Sequence, residues 1–293
     1  MSVDLPDVQE THKPAVNIMI NQAGVENLKL PFSLALSPGT GKYCNLVADV
    51  TITTDVHKDK KGISMSRLLL TLNKHLHLPL NRNLVKYIMK DIIKEVESEN
   101  CYIKFEFDLP VEKKSPLTDH IFPIYYKCSF AGKMTNKTFR FFQGVTVQYS
   151  SYCPCSAELS KDLENKGGNH GYPHAQRSFA NILAEMETDE DKVKDVIDYI
   201  WLEDIIGMVN HVLKTQPYPI IKRPDEQEIA RIASENPMFV EDAIRYLSER
   251  MDEFKYIKDW IIKCSHEESI HTHDAIAVMW KGVENGFDGR KHL

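Results

Sequence analysis

The chain has 293 residues, a formal net charge of −6 and a hydrophobic content of 42%, values typical of a folded globular protein with one large domain or two modest ones. No apolar run approaches the roughly 18 residues of a membrane span, and an acidic balance without a basic run disfavours a duplex nucleic-acid partner. We therefore expect no membrane and no nucleic-acid partner, and a polyanionic ligand would need locally gathered positive charge.

The first half of the chain predicts strands and two helices. Residues 1–40 are polar and contain prolines, which indicates an N-terminal arm. A rise in β-branched residues predicts a strand over 43–54. Apolar residues at helical spacing predict helices over 66–76 and 84–97. Three further strands are predicted, with a turn at 133–136 between the last two: 101–109, 122–130 and 137–150.

The second half of the chain predicts more helix. A polar loop containing glycines is predicted over 160–171, ahead of a strand over 179–186 and a helix over 191–215. Pro224 and Pro237 each mark the first turn of a further helix. Two strands are predicted to close the chain, over 260–265 and 275–281. The element order predicts an α+β fold, with antiparallel sheets and helices on one face.

The cysteines indicate both a compartment and a site. Six cysteines are too few for a disulfide scaffold in a chain of this length. Residues 1–6 lack the basic and apolar segments of a signal peptide, so we expect a reducing, cytoplasmic environment. There, the clustered pair Cys153 and Cys155 is more typical of metal binding or catalysis than of a structural role.

The first candidate site is Cys153-Pro154-Cys155 together with His174. Residues i and i+2 of an extended chain face the same side, so both sulfurs are expected to point into one cleft. Thiolate and imidazole donors suit Zn²⁺ or Fe²⁺. Two buried thiols and a loop histidine remain the alternative, because no CxxC pair completes a structural tetrad.

Two glutamates at predicted helix starts are candidate functional acids. Glu226 follows Lys222 and Arg223, where it is either an oxygen ligand or an acid favoured by the helix dipole alone. Glu241 follows an apolar pair and is expected near the core boundary, where its two oxygens can accept N–H bonds from a guanine-like edge. A solvated helix face is the alternative for Glu241.

The segment from His266 to Asp274 is dense in titratable residues. It contains three histidines and three acids, a density that fits a proton-transfer or metal role as well as it fits an exposed polar strand. In an extended chain His271 and His273 share one face, whereas a turn is needed to bring Glu268 to His271.

Taken in order, five motifs resemble the type IB GTP cyclohydrolases: Cys153-Pro-Cys-Ser, His174-Ala-Gln-Arg-Ser, Lys222-Arg-Pro-Asp-Glu, Asn236-Pro-Met-Phe-Val-Glu-Asp and Glu268-Ser-Ile-His-Thr-His. The resemblance runs from near residues 7–9 to the C-terminus. It implies the tunnelling fold (T-fold), an α+β fold of two modules of antiparallel sheet with helices on one face. After the arm, 1–40, these modules would be 41–150 and 151–293, in a homotetramer with active sites at subunit interfaces.

The resemblance also implies a role for each matched residue. Cys153, His174 and Glu226 match the ligands of one divalent metal ion per site, which would be Zn, Mn or Fe. Glu241 matches the carboxylate that anchors the purine. The matched catalytic positions are Cys153, Cys155, Glu268 and His271. Of these, Glu268 and His271 match the acid–base pair, and Cys155 lies in the active-site motif.

The activity implied by the resemblance is that of GTP cyclohydrolase I. This enzyme opens the guanine imidazole ring of GTP by metal-dependent hydrolysis and yields 7,8-dihydroneopterin triphosphate and formate, the first step of folate and pterin biosynthesis. Candidate partners of the triphosphate are Arg67, Arg177, Lys222 and Arg223. Two alternatives stay open: an archaeal-type GTP cyclohydrolase that yields a 2′,3′-cyclic phosphate, and a non-catalytic metal- or redox-sensing protein.

The chain departs from the family pattern at two places. Ser64 stands where the family motif Gly-x-His-Met-Ser-Arg has its histidine. The segment 164–172 is longer than in many relatives, and its His170 competes with His174 as a metal ligand. The Gln-Arg-Ser context that follows His174 favours His174.

Overall fold

The computed structural model describes residues 9, 12–36, 43–189 and 200–289. Eight strands in these ranges are hydrogen-bonded to one another in chain order. They are β1 (Ile20–Ala35), β2 (Tyr43–Val56), β3 (Cys101–Lys114), β4 (Ile121–Thr135), β5 (Thr138–Tyr152), β6 (Ala175–Met186), β7 (Ile257–Glu267) and β8 (Ala275–Trp280).

Six helices accompany the strands in the described ranges. They are α1 (Met65–Asn73), α2 (Arg82–Val96), α3 (Pro154–Asn165), α4 (Leu202–Leu213), α5 (Arg223–Glu235) and α6 (Val240–Asp252). The pairs β1–β2, β2–β3, β6–β7 and β7–β8 are all antiparallel. The predicted α+β class is therefore confirmed. No helix in the described ranges is long and apolar enough to cross a membrane.

Most predicted elements are present, and three differ from the prediction. Pro237 lies ahead of α6, which begins at Val240, and not in its first turn. The predicted arm, 1–40, contains the strand β1, which pairs with β2. The loop predicted over 160–171 begins inside the helix α3. Part of the helix predicted over 191–215 falls on residues 191–199, outside the described residues, and the rest is α4.

The chain divides into two compact units. The first comprises Met1–Asp108, Ser129–Phe142 and Thr188–Lys192. In this unit α1 packs against α2, and α2 lies so close to β4 that a Cβ at Gly132 would collide with Met89 and Val85. The core is made of aliphatic and aromatic side chains such as Ile52, Leu68, Ile88, Ile103 and Phe105.

The second unit comprises Leu109–Cys128, Gln143–Glu187 and Val193–Leu293. Here α6 packs on β7 and β8, and α4 packs on α6. The antiparallel register of β6 and β7 pairs Arg177 with Glu267, so the start of β6 lies beside the end of β7. Neither unit is continuous in sequence, and the predicted division into modules 41–150 and 151–293 stays a prediction.

Candidate active site

Cys153 lies at the junction between β5 and α3. Its backbone is extended and its carbonyl accepts the N–H of Ala157 at 3.0 Å, so the helix begins at Pro154. Proline suits this place because the first helical N–H needs no partner. Cys153 is half-buried, whereas Cys155 is exposed in the first helical turn. The prediction that an extended chain points both sulfurs into one cleft is therefore wrong, because successive helical residues turn by about 100°.

Two backbone contacts hold His174 against this junction. The N–H of Cys153 donates to the carbonyl of His174 at 3.4 Å, and the N–H of His174 donates to the Ser156 hydroxyl at 3.4 Å. On its other side, Nδ1 of His174 lies 3.4 Å from Oγ of Ser269 and 3.9 Å from Oε2 of Glu268. His174 therefore lies between the backbone of Cys153 and the carboxylate of Glu268, and the roles that the resemblance implies for these three residues stay predictions.

Glu268 follows β7 directly and is held by a buried side chain that the sequence analysis did not single out. Its Oε2 accepts a short hydrogen bond from Nε2 of Gln176. Oε1 of Gln176 accepts the Ser151 hydroxyl at 2.7 Å, and that hydroxyl is 2.9 Å from the Ser178 hydroxyl. Gln176 lies inside the motif His174-Ala-Gln-Arg-Ser, two residues after a candidate ligand, which was the available signal.

A buried imidazole lies behind this group. His266 is 2% exposed, and its Nε2 is 2.9 Å from the hydroxyl of Tyr149. Burial lowers the pKa of His266 to about 4, although the carboxylates of Glu268 and Glu241 act in the opposite direction. His266 is thus neutral at pH 7. Both carboxylates therefore lie near enough to His266 to act on its charge.

Glu241 lies in the first turn of α6. Just before this helix, the N–H of Met238 donates to the carbonyl of Tyr152 at 3.1 Å, which holds the helix start beside the end of β5 and thus close to Cys153. Val240 is buried but Glu241 is exposed. The expectation that Glu241 lies at the core boundary is therefore wrong, because its side chain leaves the helix on the solvent side.

The histidines after Glu268 lie on a turn. Residues 269 and 270 form the turn that the spacing of Glu268 and His271 required. His271 and His273 are exposed, and their rings stack with centroids 5.1 Å apart and an interplanar angle of 22°. An acid–base role for His271 stays a prediction.

Glu226 is exposed in the first turn of α5, and its neighbour Asp225 is buried. The Asp225 carboxylate accepts the N–H groups of Leu117 and Lys222, each at 2.8 Å, and that of Thr118 at 3.0 Å. It also accepts the Thr118 hydroxyl. Asp225 therefore fixes the start of α5, and with it Lys222 and Glu226, to the turn after β3.

We expect Asp225→Asn to lower the unfolding temperature at neutral pH. The unfolding temperature of this variant should also change less than that of the wild type as the pH is lowered. Burial raises the pKa of Asp225, but hydrogen bonds from Thr118, Lys222 and Leu117 outweigh burial and hold the pKa below its ordinary range. A lowered folded-state pKa stabilises the protein above the unfolded value of about 3.9, and this contribution is lost as the pH falls below it. Thermal melts between pH 3 and 7 measure the difference, which should be largest at neutral pH. Equal melting temperatures throughout would contradict the anchoring role.

The two departures from the family pattern have structural explanations. Ser64 precedes α1, and its side chain accepts the N–H of Arg67 at 3.4 Å, so it is the N-cap of this helix. Nδ1 of His170 is 2.9 Å from Oε2 of Glu164, and its ring packs edge-on against Tyr172. His170 is therefore engaged within its own exposed segment, while His174 is the histidine next to Cys153.

The expected metal ligands are only partly assembled in this chain. Cys153 and His174 are adjacent through their backbone hydrogen bond. Among the residues that the structure describes, however, no three Cys, His, Asp or Glu side chains form a group able to hold a metal ion. The donor types suit a divalent metal, but Glu226 does not complete a preformed set with the other two.

Solved structures define the class of fold. The chain is similar to the uricase from Arthrobacter globiformis, with a TM-score of 0.52 and 8% identity over 90% of this chain and 95% of that one. It is similar also to a highly active mutant of Bacillus sp. TB-90 urate oxidase, with a TM-score of 0.57 and 9% identity over 89% and 99% of the two chains. At such identity the likeness shows the fold alone. That fold is the tunnelling fold, as expected.

The family follows from sequence. Residues 5–277 match the family model described as type I GTP cyclohydrolase folE2. The GTP cyclohydrolase FolE2 of Thermosipho africanus (strain TCF52B) is 32% identical over 273 residues, which cover 93% of this chain and 96% of that protein. The FolE2 of Ruegeria sp. (strain TM1040) is 30% identical over 283 residues, 95% of this chain and 74% of that protein. The chain therefore belongs to the type I GTP cyclohydrolase FolE2 family.

Proposed function

We propose that this protein is a GTP cyclohydrolase I of the type IB class. It opens the imidazole ring of GTP by hydrolysis and forms 7,8-dihydroneopterin triphosphate and formate, the first step of folate and pterin biosynthesis. One observation supports the proposal beyond family membership: His174 lies between the backbone of Cys153 and the carboxylate of Glu268, and the N–H of Met238 ties the start of α6, which bears Glu241, to the residue before Cys153.

Proton transfer is assigned to Glu268. The net reaction adds one water to GTP and releases C8 as formate, so protons must reach the ring nitrogens as the two C8–N bonds break. A carboxyl group held in place serves this purpose. The side chain of Glu268 is 13% exposed, which shields it from bulk water without closing it to a substrate. His271, on the adjoining turn, is proposed as its acid–base partner.

Recognition of the base is assigned to Glu241. An ionised carboxylate presents two acceptor oxygens, and guanine offers a matching pair of donors at N1–H and the 2-amino group. Exposure of Glu241 in the first turn of α6 leaves both oxygens accessible. A base anchored there would hold C8 in a fixed orientation towards the other residues of the site.

We propose one divalent ion per site, Zn, Mn or Fe, bound by Cys153, His174 and Glu226. When bound, such an ion supplies a Lewis acid and lowers the pKa of a coordinated water to about 7 in favourable zinc sites. The contact between Cys153 and His174 supports the first two ligands. Glu226 would join them in the loaded, assembled enzyme, and Cys155 is proposed as a neighbour of this group.

The triphosphate and the assembly belong to the same proposal. Arg67, Arg177, Lys222 and Arg223 are all exposed and are proposed to meet the triphosphate. Because the chain carries a net charge of −6, such local cations are needed to bind a polyanion. We propose a cytoplasmic homotetramer with interfacial sites, which would gather these groups from more than one subunit.

We expect the metal-loaded protein to release formate from GTP and, after oxidation, to give a fluorescent pterin. The test incubates metal-free protein with GTP and with Zn²⁺, Mn²⁺ or Fe²⁺ in turn. A product that keeps a linear triphosphate distinguishes this reaction from one ending in a cyclic phosphate. Metal binding without formate release under every condition would overturn the proposal and favour a non-catalytic metal protein.

A further inference from the structure

We infer that Gln176 is a positioning residue: it holds Glu268 in its working orientation and is itself held in place by the hydroxyl of Ser151, which Ser178 contacts in turn. This inference rests on the proposed function, because it assigns Glu268 its acid–base task. It goes further by explaining why an uncharged amide lies in the middle of the site, and by identifying the carboxylate oxygen that faces the substrate.

The hydrogen-bond chain has a defined direction. The Ser151 hydroxyl has one proton, which it donates to Oε1 of Gln176 at 2.7 Å. The bond of 2.9 Å between Ser151 and Ser178 must then be donated by Ser178. With its oxygen engaged, the Gln176 amide can only turn its Nε2 donor towards Glu268. The flipped amide would set an oxygen against the Glu268 carboxylate, which as an anion can only accept, so the carboxylate selects this orientation of Gln176 and the Ser151 hydroxyl matches it as a donor.

Burial makes this arrangement rigid. Gln176 is 4% exposed, Ser151 is 2% exposed and Ser178 is fully buried. Each polar group in such a place needs a partner, because an unpaired one would lose its hydration without compensation. Ser178 and Gln176 both lie on β6, and Ser151 lies near the end of β5. The amide is thus fixed by strands, whereas Glu268 lies on the turn that follows β7.

Glu268 has no comparably strong partner. Nδ1 of His174 is 3.9 Å from its Oε2, beyond hydrogen-bond distance. Within the described ranges, this carboxylate contacts Gln176 and His174, in both cases through Oε2. Oε1 is therefore the oxygen left for the substrate, and we assign the transferred proton to it. Loss of the Gln176 bond would free a side chain with three rotatable bonds.

Replacing Gln176 by methionine tests the inference. Methionine keeps the length and volume of the side chain but removes the donor. We expect kcat for formate release to fall by about 10²-fold, the effect of a misplaced catalytic group, while KM for GTP stays within about threefold. Ser151→Ala keeps Gln176 but releases its oxygen, so a smaller fall in kcat, about tenfold, is expected. The matched control is Asn181→Leu on the same strand, which removes an amide bonded to Thr146 at 2.8 Å, away from Glu268, and should leave kcat unchanged.

A double-mutant cycle with Glu268→Gln separates positioning from general damage. If Gln176 acts through Glu268, the double variant is no slower than Glu268→Gln alone. The inference would be overturned if the losses in kcat of the two single variants multiplied in the double variant, or if Gln176→Met left kcat unchanged. In either case an active wild type would still uphold the proposed function. An inactive metal-loaded wild type would overturn the proposed function and, with it, the catalytic task given to Glu268. Should Gln176→Met fail to fold, Ser151→Ala carries the same cycle.

Discussion

Replacing Cys153 by alanine is expected to lower GTP turnover by at least about 10³-fold, because the change removes the thiolate from the proposed metal ligands. The fold should survive. Cys153 is half-buried at the start of α3, and its side chain caps no backbone group. Such positions usually change the free energy of unfolding by less than about 0.5 kcal/mol. Formate release at saturating GTP measures turnover, and the metal content of the dialysed protein is a second readout.

Two other cysteines make this experiment specific. Cys44 is half-buried on β2, in the first compact unit, so Cys44→Ala should keep both metal content and turnover. Cys155→Ala separates the two thiols of the motif. Since Cys155 is exposed on the helix, a loss as large as that of Cys153→Ala would indicate that both thiols act together. Full activity of metal-loaded Cys153→Ala would exclude Cys153 as a ligand.

The fold was predictable wherever the local pattern was regular. The strand β2 and the helix α2 follow from β-branched content and from apolar residues at helical spacing. The strand β1 was missed because two register shifts and a positive φ at Asn27 interrupt the alternation that marks a strand. The helix α3 was not predicted because none of its residues is buried, and it therefore lacks the apolar stripe that marks a packed helix.

The candidate site was predictable as a set of residues but not as a network. Motif resemblance identified Cys153, His174 and Glu268, to whose side chains we have assigned the chemistry. The bonds that hold the site join residues distant in sequence: Gln176 to Glu268 spans 92 positions, and Asp225 to Thr118 spans 107. No local periodicity encodes such contacts, because strand pairing and helix docking create them.

The same limit applies to exposure. The apolar pair before Glu241 suggested a half-buried carboxylate, yet the helix turns Val240 inward and Glu241 outward. The exposure of Glu241 favours a binding role, because an exposed carboxylate carries little desolvation cost until a ligand covers it. The charge of Glu241 still acts on buried His266: it favours a higher pKa, although the larger effect of burial lowers the pKa overall.

Glu241→Gln is expected to weaken GTP binding by about 10- to 100-fold, which corresponds to about 1.5–3 kcal/mol for a lost hydrogen bond to a charged group. The glutamine amide keeps one acceptor and turns a donor towards a donor of the guanine edge, so the paired recognition fails. Calorimetric titration of metal-free protein with GTP measures the affinity without turnover. Inorganic triphosphate, which has no base, should bind the variant and the wild type equally.

The matched control for this change is Glu249→Gln, which alters an exposed glutamate on the same helix about two turns away. Both changes remove one negative charge from α6, so a long-range effect of charge on the polyanion would strengthen binding to both variants alike. Base anchoring predicts instead that Glu241→Gln alone loses affinity, and only for GTP. Equal affinity of Glu241→Gln and the wild type for GTP would remove the anchor assignment. A parallel loss for inorganic triphosphate would move Glu241 from base recognition to the organisation of the phosphate site.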